Sequence, residues 1–267
     1  MSTAAEELRA EPILQRVDSD GIATLTLNRP QQYNALSSQM LSALQRALDD
    51  IAASDTIRVV IIAANGKAFC PGHDLKEMRA SEDPAVHQAL FDRCSRVMLS
   101  INRLPQPVIA EVNGVATAAG CQLVANCDLA VASADAKFAV SGINVGLFCS
   151  TPAVPLSRNL PRKQAMQMLL TGDFISADTA LQYGLVNQVV AADQLPRATR
   201  ELAAKIAAKS AHSIQLGKDM FYQQLPMGLS EAYAFASERM TCNMDSHDAR
   251  EGIDAFIQKR RPEWKNR

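Results

Sequence analysis

Two short glycine-containing loops hold the residues of this chain that could do chemistry. The first, Phe69-Cys70-Pro71-Gly72-His73-Asp74, follows an apolar run. The second, Gly114-Val115-Ala116-Thr117-Ala118-Ala119-Gly120, follows another and leads into helical sequence. Small residues let a ligand approach the backbone closely. The first N–H groups of a helix are unpaired and sit at the positive end of its dipole. Backbone N–H groups drawn from both loops could hold one developing oxyanion, a term of about 3–4 kcal/mol in acyl-transfer sites. Composition alone favours the plainer reading, tight strand-to-helix turns, and leaves the other open.

Few side chains near these loops can carry a proton. Of the four histidines (His73, His87, His212 and His247), only His73 falls in such a loop. Gln122, in the first turn of the helix, can hydrogen-bond a water but cannot take and return its proton near neutral pH. Ser141, Asn144, Cys149, Ser150 and Thr151 gather further on. Serine without a partner is a poor acid or base, and Cys149 would need a lowered pKa to act as a nucleophile. Glu111 reads as a surface or salt-bridged carboxylate. The six cysteines form no CxxC pair or zinc-spaced cluster, so no metal site is expected and the thiols read as reduced and mostly buried.

Regular elements must position these loops. Residues 22–27 alternate as a strand that breaks at Asn28-Arg29-Pro30, and Ser37 is placed to cap a helix carrying Leu41, Leu44, Leu48 and Ile51. Residues 57–63 read as a strand buried on both faces, 68–74 as a loop, about 85–103 as a helix and 107–112 as a strand. A short helix is expected from Ala119 to about Asn126, then strands over 129–132 and 137–140. Beyond Pro161 the pattern is helical over 162–171, 176–183, 194–209, 230–243 and 248–259. Periodicity therefore gives an α/β chain with a helical C-terminal section. Its divisions are a loose segment at 1–12, a core over 13–195 and a helical region over 196–267.

Bulk properties exclude several classes. The chain has 267 residues, 48% of them hydrophobic, and a formal charge of −1. That is ample for a packed core and gives no general attraction to nucleic acid or to an anionic membrane. The N-terminal residues carry two acids and no apolar segment, which reads as a cytoplasmic protein without a leader.

Taken in order, a set of motifs resembles the enoyl-CoA hydratase/isomerase (crotonase) family over nearly the whole chain. They are Leu27-Asn-Arg-Pro30 with Asn34-Ala35-Leu36, Ala68-Phe69 with Gly72, Asp74, Leu75, Lys76 and Glu77, and Pro107-Val-Ile-Ala110 with Asn113-Gly114. Gly120-Cys121 with Leu123, Cys127-Asp128, Thr171-Gly172 with Ala177, Gly184-Leu185-Val186 and Glu251-Gly252 with Phe256, Lys259 and Arg260 complete the set. The resemblance implies a crotonase-like ββα spiral whose helical C-terminal region packs trimers, usually paired into hexamers. It implies an acyl-CoA thioester as ligand, with coenzyme A entering as part of the substrate and no covalently bound cofactor. The thioester carbonyl would meet the N–H groups of His73 and Ala119, placing the imidazole beside the acyl group as a proton donor or a steric filter. The backbone around Pro71, with Gly72 and Gly120, would lie against coenzyme A. Phe256 and Lys259 would meet its nucleotide in the same or a neighbouring subunit. Asp74 and Asp128 are read as structural anchors.

The resemblance also exposes a gap. The two glutamates that handle water in family hydratases align with Gln122 and Gly142. Ser150 falls where some family isomerases keep an acid. Losing one general acid or base costs about 10²–10⁴-fold. Three readings follow: enolate-stabilising acyl-CoA chemistry other than hydration, a non-catalytic acyl-CoA binder or regulatory subunit, and a weak hydratase using water held by Gln122.

Overall fold

Residues 11–267 are described in a computed structural model of the chain; most of the segment expected to be loose lies outside the described residues. A hairpin comes first. β1 (Leu14–Ser19) and β2 (Ile22–Leu27) pair antiparallel across Asp20-Gly21, whose φ values are both positive, 55° and 74°. Such a turn matches the twist of the strands it joins. β1 was not expected, because its last four residues are exposed and it lacks a buried alternating face.

Ser37 caps α1 (Ser38–Ala52) as expected, accepting a hydrogen bond from Met40 N, and Leu41, Leu44, Leu48 and Ile51 are buried along one face. β3 (Val59–Ala64) follows, with five successive buried residues. The chain then places a strand in each of two sheets by turns. β4 (Ala68–Cys70), where a loop was expected, leads to α2 (Leu75–Arg79) and α3 (Pro84–Arg103). β5 (Val108–Val112) and β6 (Val115–Thr117) lead to α4 (Ala119–Asn126). β7 (Leu129–Ser133) and β8 (Lys137–Ala139) lead through a 3₁₀ turn at Ser141–Val145 to α5 (Ser150–Asn159) and α6 (Arg162–Thr171). β9 (Ile175–Ser176), α7 (Ala177–Tyr183) and β10 (Gln188–Val190) close the series.

The larger sheet runs β1-β2-β3-β5-β7-β10 and the smaller β4-β6-β8-β9. This is the ββα spiral. The main core includes Leu25, Ile62, Ala110 and Ala132 on one face of the larger sheet, with Phe69, Ala116 and Phe138 of the smaller sheet. The opposite face of the larger sheet is covered by α8 (Leu195–Ala207) through Leu195 and Ala203 against Ile61, Ile109 and Val131. That second covering explains why β3 and β5 are apolar on both sides.

Three more helices complete the chain: α9 (Ala211–Gln224), α10 (Leu229–Met244) and α11 (His247–Ile257). α9 was not expected, and it has no buried residue to give it an apolar stripe. It docks by polar contacts. Lys218 Nζ donates to Ile101 O and Gln106 O at 3.0 Å each and to Asp128 Oδ2 at 2.6 Å. Tyr222 OH donates to Asp128 Oδ1 at 2.8 Å, and Asp128 Oδ2 also accepts from Val108 N. Asp128 is thus a structural anchor, as read from sequence.

The Lys218–Asp128 pair leaves only 8% and 15% of its side chains exposed, so removing one partner strands the other charge. Lys218→Met and Asp128→Asn are each expected to lower unfolding free energy in urea by about 3–5 kcal/mol. The double variant should lose less than the sum of the two.

Candidate active site

The backbone hydrogen bonds of the first loop can be counted group by group. Asn34 is fully buried; its Oδ1 accepts from Arg29 N and its Nδ2 donates to Asn65 O and Ala68 O. That clamp fixes Leu36, whose N–H donates to Gly72 O at 2.8 Å. Thr117 Oγ1 donates to Pro71 O at 2.8 Å. His73 N–H donates to no group among the described residues. Asp74 then caps α2, accepting from Lys76 N and Glu77 N, the anchoring role expected of it.

The second loop meets the first through glycines. A methyl group on Gly72 would lie 2.9 Å from Ala118 Cβ and 3.0 Å from Ala119 N, and one on Gly120 would overlap the Cys70 carbonyl. Between them Ala118 is held at φ 47°, ψ −121°, a conformation that L-residues rarely adopt. Its N–H donates to Ala139 O and its carbonyl accepts from Gln122 N. Ala119 N–H opens α4 and finds no partner among the described residues; no side chain caps this helix and no acid lies in its first turn. The two N–H groups nominated from sequence therefore sit on loops in direct contact.

Gln122 is 3% exposed, and its Oε1 is buried without a partner. A buried unpaired polar group costs about 1–3 kcal/mol. Its side chain lines a cavity of about 1420 Å³ between α3, α4, α5 and α9, with Met98, Ala125, Thr151, Val154 and Leu216 among the walls. The His73 ring goes elsewhere. It stands edge-on to Phe91 of α3 at 5.5 Å, its Nε2 buried and unpartnered. Burial lowers its pKa from the ordinary histidine value, with Glu77 opposing that shift, so the ring is neutral at pH 7.

Gly142 occupies a filled position. Its carbonyl accepts from Leu147 N. A Cβ there would lie 2.5 Å from Leu147 O and 2.7 Å from Cys149 Sγ. Burial raises the Cys149 pKa and pushes the Cys121 thiol up to about 12. Neither thiol is activated.

Other expectations need correction or relocation. Ser150 is exposed and its hydroxyl reaches only Phe148 O, at 3.4 Å. The residue that faces the cavity with Gln122 is its neighbour Thr151, in the first turn of α5. A proline at 152 and another at 155 disguised this helix as loop; the first of them, in the opening turn, was the available signal. Glu111 is neither on the surface nor salt-bridged. It is half-buried on the α8 face of β5, and desolvation raises its pKa. Phe256 is 85% exposed on α11, away from the Gln122 cavity, and Lys259 is exposed just beyond that helix. Arg260 is held by both oxygens of Glu251, at 2.6 and 2.8 Å, and is not free to meet a phosphate.

Comparison with known proteins places these features in context. A family model described as Enoyl-CoA hydratase/isomerase matches residues 18–267. The rat protein named enoyl-CoA hydratase domain-containing protein 3, mitochondrial, is 51% identical over 92% of this chain and 82% of its own length. A crystal structure of an enoyl-CoA hydratase from Mycobacterium smegmatis superposes with TM-score 0.94 at 56% identity, covering 95% of this chain and 99% of that one. The crystal structure of human enoyl-CoA hydratase domain-containing protein 3 gives TM-score 0.92 at 48% identity, covering 95% and 100%. No helix among the described residues is long and apolar enough to cross a membrane.

Two outcomes follow from this geometry. Gly142→Ala should cost about 1–3 kcal/mol through overlap with Leu147 and Cys149. Gly146→Ala, which meets nothing within 4 Å, should cost only its positive-φ strain, about 1–2 kcal/mol; thermal unfolding ranks the two. His73 has its pKa depressed in the folded state. Its contribution is complete above the unfolded value of about 6.5 and declines as pH falls from there toward the folded value. Urea midpoints of the native chain should fall over that window relative to His73→Gln.

Proposed function

The chain belongs to the enoyl-CoA hydratase/isomerase family, and from that membership and the site geometry we propose that it binds an acyl-CoA thioester and stabilises its enolate without hydrating it. The carrying observation is the pair of unpartnered N–H groups, His73 and Ala119, on interlocked loops, with an amide at position 122 and no side chain at position 142. In this reading the thioester oxygen lies between the two N–H groups. When a bond at the α-carbon breaks, as a carboxyl group leaves as carbon dioxide or a proton passes to water, the pair left behind delocalises onto that oxygen, and the fixed dipoles take up the charge without reorganising. Gln122 orients the acyl group or a water through its amide. Water activation has no base: Gln122 cannot ionise, and the Gly142 position holds no side chain.

Coenzyme A enters as part of the substrate. Its adenine end would lie along the backbone of Pro71, with Gly72 and Gly120 allowing close approach. Phe256 and Lys259 are exposed, which suits a contact made across a subunit boundary in a trimer or a dimer of trimers. A second reading, an acyl-CoA binder without turnover, is favoured by the tight packing at Gly142, because a site closed against a carboxylate has lost more than one residue.

Acyl-CoA thioesters should raise the melting temperature, by linkage of binding to folding. Crotonyl-CoA should show no hydration at high enzyme concentration. The variant Gln122→Glu/Gly142→Glu should gain no hydratase activity, since the second glutamate cannot be seated without rebuilding residues 147–149. Hydration by the native chain would overturn the reading. Mass spectrometry of acyl-CoAs after incubation separates turnover from binding alone.

A further inference from the structure

The two ring nitrogens of His73 stand in unequal surroundings. Nε2 is buried without a partner. Nδ1 also makes no hydrogen bond among the described residues, yet it is not enclosed. A neutral imidazole carries one N–H donor and one lone-pair acceptor, and which nitrogen holds the proton follows from the surroundings. Buried N–H groups are orphaned more rarely than buried acceptors are left under-satisfied. The enclosed position therefore takes the lone pair, and the open one takes the proton.

The neighbours of the ring do not reverse that choice. Glu77 acts on it as a charge, but Glu77 Oε2 accepts from Ser38 N at 2.9 Å and no hydrogen bond joins it to the imidazole. Phe91 lies at 5.5 Å with the ring planes at 80°; an N–H···π contact from Nε2 would be a second-order interaction. Protonating the ring would put an N–H in the enclosed position as well, which agrees with burial lowering its pKa. Nδ1 is bonded to Cγ, on the side of the ring nearer its own backbone, and Nε2 is on the far side. That backbone is fixed. Gly72 O and His73 N–H share one peptide plane, so the 2.8 Å bond from Leu36 N to Gly72 O sets the direction of the His73 N–H. One residue thus offers two unspent donors, one from the main chain and one from the ring.

We propose that His73 supplies a third donor to the thioester oxygen, through a neutral imidazole held as the Nδ1–H tautomer, beside its own N–H and that of Ala119. The proposal rests on the acyl-thioester reading above and adds a side-chain donor to it. A neutral imidazole can polarise a carbonyl by hydrogen bonding while keeping its proton. Its bond strengthens as negative charge develops on the oxygen, because hydrogen bonds to a charged acceptor are the stronger kind. The proton stays on Nδ1 throughout. Such a donor needs no acid or base to recharge it, which suits a site with an amide at 122 and no side chain at 142.

Nitrogen NMR of the full chain, labelled in histidine, reads the tautomer directly, with His73 assigned by the signal lost in any one of its variants. At about pH 8, above the ordinary histidine pKa, the proton is expected on Nδ1 and the lone pair on Nε2. The Nδ1–H proton should move downfield when butyryl-CoA is added. Calorimetric titration with the same ligand gives the second readout. His73→Asn, whose amide N–H falls near the Nδ1 place, should bind within about threefold of the native chain, whereas His73→Leu and His73→Gln should bind about tenfold more weakly. A proton on Nε2, an Nδ1–H unmoved by bound ligand, equal losses in His73→Asn and His73→Leu, or no loss in His73→Leu would each overturn the proposal and leave the acyl-thioester reading standing. If butyryl-CoA does not bind the native chain, that reading fails and the proposal with it.

Discussion

The site depends on one steric constraint, the seating of Gly120 directly on the carbonyl of Cys70. No side chain fits between the start of α4 and the end of β4, so the two strands of successive spiral turns bring their loops into contact. Gly114 against Lys67 O and Gly72 against Ala118 and Ala119 repeat the contact on either side. These approaches hold Ala118 at positive φ and spend the hydrogen bonds of its neighbours. What is left over is a pair of free N–H groups. These two donors are a remainder: packing has kept them from being used elsewhere.

Around that remainder the chain shows two kinds of polar economy. Where α9 docks, a cluster of polar groups is densely engaged. Lys218 makes three hydrogen bonds and Asp128 accepts from Lys218, Tyr222 and Val108. Desolvation pulls the Lys218 pKa down, and Asp128 opposes it. This cluster holds a helix that has no apolar face. At the reactive end the reverse holds: Gln122 and His73 each keep a buried atom without a partner. Such vacancies cost stability wherever they occur; Gln45, Gln106, Asn113 and Arg239 carry others among the described residues.

The paired replacement of acids acquires a physical meaning here. Gln122 alone would be a single isosteric change, reversible in principle. Gly142 is different, because Leu147 and Cys149 close over it. The loop from 141 to 149 has repacked around the absence of a side chain. Position 122 thus holds a neutral amide and position 142 no side chain, so neither supplies a carboxylate.

Much of this was legible in the residues. The caps at Ser37 and Asp74, the buried run of β3, α4 to the residue and the stops at Gly172 and Gly184 follow from local rules of hydrogen bonding and backbone sterics. Local signals failed where an element's stability comes from elsewhere. β1 is mostly exposed and exists because β2 pairs with it, α5 carries prolines, and α9 is tied down by polar contacts to residues about ninety positions earlier. The sequence by itself determined the family, the spiral, the two site loops and the lack of acids at 122 and 142, since these lie in short contiguous motifs. Only the tertiary structure decided that the His73 ring turns to Phe91, that Thr151 rather than Ser150 joins Gln122, and that Gly142 has no room for a side chain. Those are matters of which groups meet across turns of the spiral, and non-local contact is the one thing that spacing along the chain does not encode.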